Sequence, residues 1–103
     1  MIIRVFRAIV HDGMQEEFAR FFRETAIPLL RSQRGMTGLT VGWPTTHSPN
    51  EFMMTTIWSD VNALKSFAGE NWAKAVIDPA EAHLLRETFV HHYEGDSAAI
   101  ERF

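Results

Sequence analysis

Between Pro28 and Asp60 the chain changes its hydrophobic period twice, and this stretch constrains the fold more than any other. Pro-Leu-Leu-Arg-Ser-Gln-Arg-Gly-Met-Thr-Gly (Pro28 to Gly38) closes an amphipathic helix and opens a strand. Thr-Ile-Trp-Ser-Asp (Thr56 to Asp60) ends a second strand where another helix must begin. Strands joined to helices in this way form a small α+β layer, with few helices available to cover the sheet.

The flanking segments complete the order. Ile2 to Val10 is rich in β-branched residues, with charge only at Arg4 and Arg7, and reads as a strand buried on both faces. His11-Asp12-Gly13 supplies a turn. From Met14 the apolar residues Phe18, Phe21, Phe22, Ala26, Leu29 and Leu30 recur at three- and four-residue spacing, the stripe of an amphipathic helix. Pro28 cannot donate to the carbonyl of Glu24, so a kink or break is expected there. Gly35 ends the helix.

Met36 to Trp43 and Glu51 to Trp58 read as strands joined by the polar hairpin loop Pro44 to Asn50. Ser59 or Asp60 caps a helix carrying Val61, Leu64 and Phe67, which Gly69 interrupts. Asn71 to Ile77 reads as one or two further helical turns, and Ala80 to Leu85 as a short helix opened by Pro79. Glu87 to Glu94 is the last strand, with Phe89, His91 and Tyr93 on one side and Thr88, Val90 and His92 on the other. Gly95-Asp96-Ser97 stops it, and Ala98 to Phe103 forms a short helix or a loose tail.

The expected fold is therefore α+β, a ferredoxin-like β-α-β-β-α-β unit with an antiparallel four-stranded sheet. Residues 1–103 form a single domain, with a core over 2–94 and a tail over 95–103. Helices cover one face of such a sheet. The other face is also apolar, so a second copy is expected to cover it, making a homodimeric α/β barrel with an enclosed cavity.

Composition removes several function classes. The formal net charge is −3, with no basic cluster, which argues against a nucleic acid partner. The chain has no cysteine, so disulfides and thiolate chemistry are excluded and a reducing cytoplasm is the expected location. No apolar run reaches the ~20 residues of a membrane span. The first residues read as a strand rather than a signal peptide.

The order and spacing of Asp12-Gly13, Gly35-Met36-Thr37-Gly38 and Ile57-Trp58-Ser59-Asp60, followed by Ala63 and Phe67, resemble the antibiotic biosynthesis monooxygenase domain of the dimeric α/β-barrel superfamily. The resemblance spans roughly residues 2 to 94. It implies cofactor-independent oxygenation of polycyclic aromatic phenols by O₂, heme degradation, or, as in many members, no established reaction. Heme-degrading members carry Asn on the first strand, Trp at the second helix and an axial His soon after. Here Phe6 stands in the first-strand region and Phe67 at the helix position, with Trp72 five residues on. His83 is the position left for a heme ligand, with several extra residues between it and Phe67.

Five histidines need placing: His11, His47, His83, His91 and His92. His91 and His92 face opposite sides of one strand and cannot share a metal, so no metal site is expected. One of the two must point inward. His83 is either an acid/base or heme ligand, or a structural cap. Arg4 and Arg7 also lie on opposite faces. One is expected to enter the cavity, where a guanidinium holds an anionic oxygen; the competing reading is a salt bridge with Glu51 or Glu87.

The expected catalytic set is His83, His91 and Arg4, with Phe6, Phe67, Trp72 and Phe89 against a small apolar aromatic ligand. The favoured reading is a cofactor-free monooxygenase acting on an aromatic or quinol-type substrate. The alternatives are a non-catalytic small-molecule-binding or stress-associated dimer, and a heme-binding or heme-degrading protein through His83.

Overall fold

Ile2–Val10 forms the first strand, β1, and every other residue along it enters the core. The computed structural model describes residues 1–96; the tail expected over Ala98 to Phe103 lies outside them. After β1 come helix α1 (Gln15–Phe21), a π-helical turn (Phe22–Ala26) and α2 (Ile27–Arg31). Strands β2 (Met36–Gly42) and β3 (Glu51–Trp58) follow, then α3 (Val61–Ala68), a 3₁₀ turn (Ala82–Leu84) and β4 (Leu85–Glu94).

All pairings are antiparallel and the sheet order is β2-β3-β1-β4, the ferredoxin-like α+β arrangement expected from the sequence. The register sets which side chains share a face. Arg4 lies between Thr56 of β3 and His92 of β4, while Arg7 lies between Met53 and Phe89. Arg4 and Arg7 differ in parity, so the two rows project from opposite faces.

The buried core lies on the Arg4 side. Ala8, Val10, Phe52, Met54 and Trp58 from the sheet meet Phe18, Phe22 and Leu30 from the first helical segment, Leu64 from α3 and Leu84. Phe18, Phe22 and Phe52 pack with ring centroids 4.8–5.7 Å apart. The side chains of the other face, among them Ile3, Val5, Ile9, Met53, Ile57 and Phe89, are only half-buried. Thus β1 is buried on one face within the chain, not on both.

Pro28 has the expected consequence, displaced by one turn. Ile27 donates its N–H to the carbonyl of Phe22, five residues back, and the helix widens just ahead of the proline. Asp60 caps α3 by accepting the N–H of Ala63 at 2.8 Å.

The helical turns expected over Asn71 to Ile77 are not formed. One turn closes from Lys74 N–H to Asn71 O at 2.9 Å, and the chain then runs irregularly. The reason is a competitor for the carbonyls: Arg4 donates to those of Trp72 and Lys74, satisfying them without a helix. The short helix expected from Ala80 to Leu85 contracts to the 3₁₀ turn. Among the described residues no helix is long and apolar enough to cross a membrane.

Candidate functional site

A cavity of about 210 Å³ opens between the helices and the sheet. Its floor is Arg4 and Phe6 of β1 with Met54 and Thr56 of β3. One wall is Phe21, Phe22, Thr25, Ala26, Leu29 and Leu30, and Phe67 of α3 forms another. Val76, Ile77, Asp78, Pro79 and Glu81 close it. The cavity thus lies within one protomer, on the helix side of the sheet. The widened π-turn holds Thr25 and Ala26 at its edge, so Pro28 and the cavity are linked through helix geometry.

Arg4 is 5% exposed. Its Nη1 donates to the carbonyl of Trp72 and meets His92 Nε2 at 3.0 Å, and its Nη2 donates to Lys74 O at 3.0 Å. Burial lowers its pKa from the ordinary guanidinium value. None of these partners is a carboxylate: two are carbonyls and the third is a ring nitrogen that must accept from the guanidinium. Burial, Arg4 and His91 hold His92 below the usual imidazole range. The His92 ring stands edge-on to Trp72, with centroids 4.8 Å apart. Arg4, His92 and Trp72 therefore form one polar cluster that straps the chain after α3 onto β1 and β4.

Glu81 is 4% exposed, and its carboxyl is pushed up to about 7, chiefly by burial. The negative charge of Asp78 adds to that shift, while a hydrogen bond from the Asp78 N–H opposes it. Local turn chemistry aims it inward. Asp78 Oδ1 accepts Ala80 N–H at 2.8 Å, and Glu81 Oε1 accepts Asp78 N–H at 3.2 Å. Glu81 N–H donates in turn to the backbone carbonyl of Asp78 at 2.9 Å, closing a turn with Pro79 inside it. A half-ionised acid in an apolar pocket can take and return a proton near neutral pH.

Trp58 completes the frame. Its Nε1 donates to Thr56 Oγ1 at 2.9 Å, and its ring stacks on Phe67 at 5.5 Å and 22°. Phe67 is held against the cavity by this contact.

Of the residues expected from sequence, Arg4, Phe6 and Phe67 line the cavity. Trp72 supports it through its carbonyl and its contact with His92. The remaining three lie elsewhere. His83 is 63% exposed and 3.7 Å from Glu17. In a 3₁₀ turn residues three apart eclipse, and because Glu81 and Leu84 both point inward, His83 points out. His91 is exposed on the opposite face from His92, and His92 is the inward member of the pair. Phe89 shares the parity of His91 and lies under the Arg7 guanidinium, 4.7 Å from it. Arg7 also makes a two-point ion pair with Glu51 at 2.7 and 3.2 Å, so the cavity-entering and salt-bridging roles divide between the two arginines.

Glu81 and His92 went unassigned in the sequence. The signal for Glu81 was the Asp78-Pro79-Ala80-Glu81 turn sequence. For His92 it was only the strand parity shared with Arg4.

The site does not fit a heme held by His83. Among the described residues no histidine, cysteine or tyrosine lines the cavity, and His83 turns away from it. Among the described residues no group of His, Cys, Asp or Glu is arranged to hold a metal ion.

Comparison with known proteins agrees with the architecture. The chain superposes on a candidate antibiotic biosynthesis monooxygenase from Deinococcus radiodurans with TM-score 0.77 and 17% identity, over 100% of this chain and 99% of that one. SnoaB of Streptomyces nogalater, a cofactor-independent oxygenase solved as a point mutant, gives TM-score 0.70 and 22% identity, covering 97% of both chains. MhuD, solved as a mutant with two manganese protoporphyrin IX molecules per active site, gives TM-score 0.70 and 14% identity over 100% of this chain and 99% of that one. At these identities the likeness is one of fold. No curated protein matches the sequence. The profile of the antibiotic biosynthesis monooxygenase family matches residues 1–79, and the chain belongs to that family.

Proposed function

We propose that the protein is a cofactor-independent monooxygenase of a small aromatic substrate of the anthrone or quinol type, bound in the helix-side cavity. The observation that carries this reading is Glu81: a carboxyl 4% exposed, with its pKa raised to about 7, opening onto the same apolar cavity as the buried Arg4. Membership of the family supports it.

In this reaction Glu81 removes a proton from a ring CH₂ that is activated by a neighbouring carbonyl. The charge spreads onto the ring oxygen, where the positive field of Arg4 favours it. The electron-rich enolate passes one electron to O₂, and the two radicals combine to form a C–O bond. Glu81 returns its proton to the resulting peroxide. Loss of the second C–H proton then breaks the O–O bond, so that the CH₂ becomes C=O and one water leaves. The protein contributes a base, a field and a mainly apolar site. O₂ is the only oxidant required.

The proposal includes a homodimer through the face opposite the cavity. Ile3, Val5, Ile9, Met53, Ile57 and Phe89 make that face apolar, and a contiguous apolar sheet face is the kind of surface a second copy covers.

The test is oxygen uptake with hydroxyanthrones and quinols in the presence of a chelator. One O₂ is expected per quinone formed from an anthrone, and Glu81→Gln is expected to lower kcat by about 10²–10⁴-fold. Absence of turnover over a broad panel would favour a non-catalytic small-molecule binder with the same cavity.

A further inference from the structure

Arg4 poses a charge problem that the fold alone leaves unsolved. A guanidinium is expensive to bury, and natural proteins offset that cost with a carboxylate partner. Arg7 on the other face has one, Glu51. Arg4 is more deeply buried, yet among the described residues it bonds two backbone carbonyls and a neutral imidazole. Of its five N–H groups, these contacts engage three. Its Nε makes no bond to a described residue, and no buried side-chain nitrogen there lacks a partner, so Nε faces accessible space. Arg4 lines the cavity.

The other charged groups at the cavity do not neutralise it. Asp78 is exposed at the mouth and engaged by Ala80 N–H. Glu81 is buried in apolar surroundings that favour its protonated form. An incoming anion therefore meets one fixed cation and one acid that readily carries a proton. The remaining walls are mainly apolar, with Phe6, Phe67 and Ile77 among them.

We propose that this cavity is a receptor for organic anions: its ligand is a flat, largely apolar molecule that presents one carboxylate or ionised ring hydroxyl to the Arg4 guanidinium. The inference shares with the oxygenase reading only the premise that this cavity is the ligand site. It fixes the charge of the ligand whether or not the ligand turns over. A charge-assisted bond contributes roughly twice a neutral one, so the anion outcompetes its neutral isostere by about tenfold or more.

The experiment is calorimetric titration with 2-naphthoate and with its neutral isostere 2-naphthamide. The wild-type protein is expected to bind naphthoate at least ~10-fold more tightly, and Arg4→Gln to abolish that ratio while keeping donors for the loop carbonyls. Equal or tighter binding of naphthamide, a ratio unchanged in Arg4→Gln, or no binding of either probe would overturn the proposal.

A second variant covers the case in which Arg4→Gln does not fold. Ionised Glu81 repels the bound anion. Glu81→Gln should therefore tighten naphthoate binding several-fold at pH 8 and leave naphthamide unchanged. Wild type and variant are compared at one pH with Arg4, His92 and Asp78 present in both, so the difference reports Glu81. No selective gain contradicts the shared cavity. Because neither probe reacts, failure here leaves oxygen uptake by neutral anthrones as a separate result, and failure of oxygen uptake leaves anion selectivity intact.

Discussion

The guanidinium of Arg4 and the imidazole of His92 meet edge to edge, Nη1 against Nε2 at 3.0 Å, and this contact joins β1 to β4. The same guanidinium holds the chain after α3 through the carbonyls of Trp72 and Lys74. Arginine only donates, so Nε2 must accept and the ring proton belongs on Nδ1. Protonating His92 would set two cations against each other.

His92 is therefore expected to titrate below the ordinary imidazole value in a histidine NMR titration, because of burial, Arg4 and His91 in that order. A depressed folded-state value means that its contribution to stability is present above the ordinary imidazole value and is lost as pH falls through the folded one. A His92 midpoint at or above that of an exposed histidine would contradict the assigned contact.

Replacing the imidazole separates its polar from its packing role. His92→Phe keeps a ring against Trp72 but removes the acceptor, and should cost ~1–2 kcal/mol in urea unfolding. His92→Gln keeps an acceptor and should cost less. Equal losses would assign the effect to packing alone.

Glu81 acts on stability in the opposite sense. Its folded-state value, about 7, lies above the ordinary 4.5, so the stability it contributes is full below 4.5 and is lost as pH rises to 7. The slope from one such group is at most ~1.4 kcal/mol per pH unit. Urea unfolding of wild type and Glu81→Gln between pH 5 and 8 should show this decline in the wild type only, since His92 titrates alike in both.

Gly35 and Gly13 share a positive φ, 80° and 84°, but differ in surroundings. A Cβ at Gly35 would lie 2.5 Å from Ala63 Cβ and 2.9 Å from Ser59 Oγ, where β2 begins beside α3. At Gly13 it would meet nothing within 4 Å. Gly13→Ala should therefore cost about 1 kcal/mol from backbone strain. Gly35→Ala should cost clearly more, by thermal or urea unfolding.

Much of this architecture was legible because it rests on periodicity. The stripe from Met14, the hairpin β2–β3 and the alternation of β4 each follow from where apolar residues recur. Pro28 announced a disturbed helix, although not that a π-turn would absorb it. What stayed hidden depended on long-range partners. Asn71 to Ile77 has local helical character, but Arg4, nearly seventy residues earlier, claims its carbonyls. Parity placed His91 and His92 on opposite faces without saying which face the helices cover, and the wrong member was favoured. His83 attracted attention by residue type, while the deeper group beside it, Glu81, looked like an ordinary surface acid.

The open sheet face carries its own expectation. Val5 lies at its centre on β1, half-buried in the isolated chain. Val5→Lys should convert a dimer into a folded monomer in sedimentation velocity, with unchanged circular dichroism. A wild-type chain that sediments as a monomer at micromolar concentration would contradict the homodimer.

The most direct measurement is the pH dependence of kcat/KM for oxygen uptake with a hydroxyanthrone, wild type against Glu81→Gln. The account expects the wild-type rate to rise with pH through a midpoint of about 7, set by the Glu81 carboxyl, and Glu81→Gln to lose that limb together with most of the rate. A limb of equal height and midpoint in Glu81→Gln would show that the base lies elsewhere.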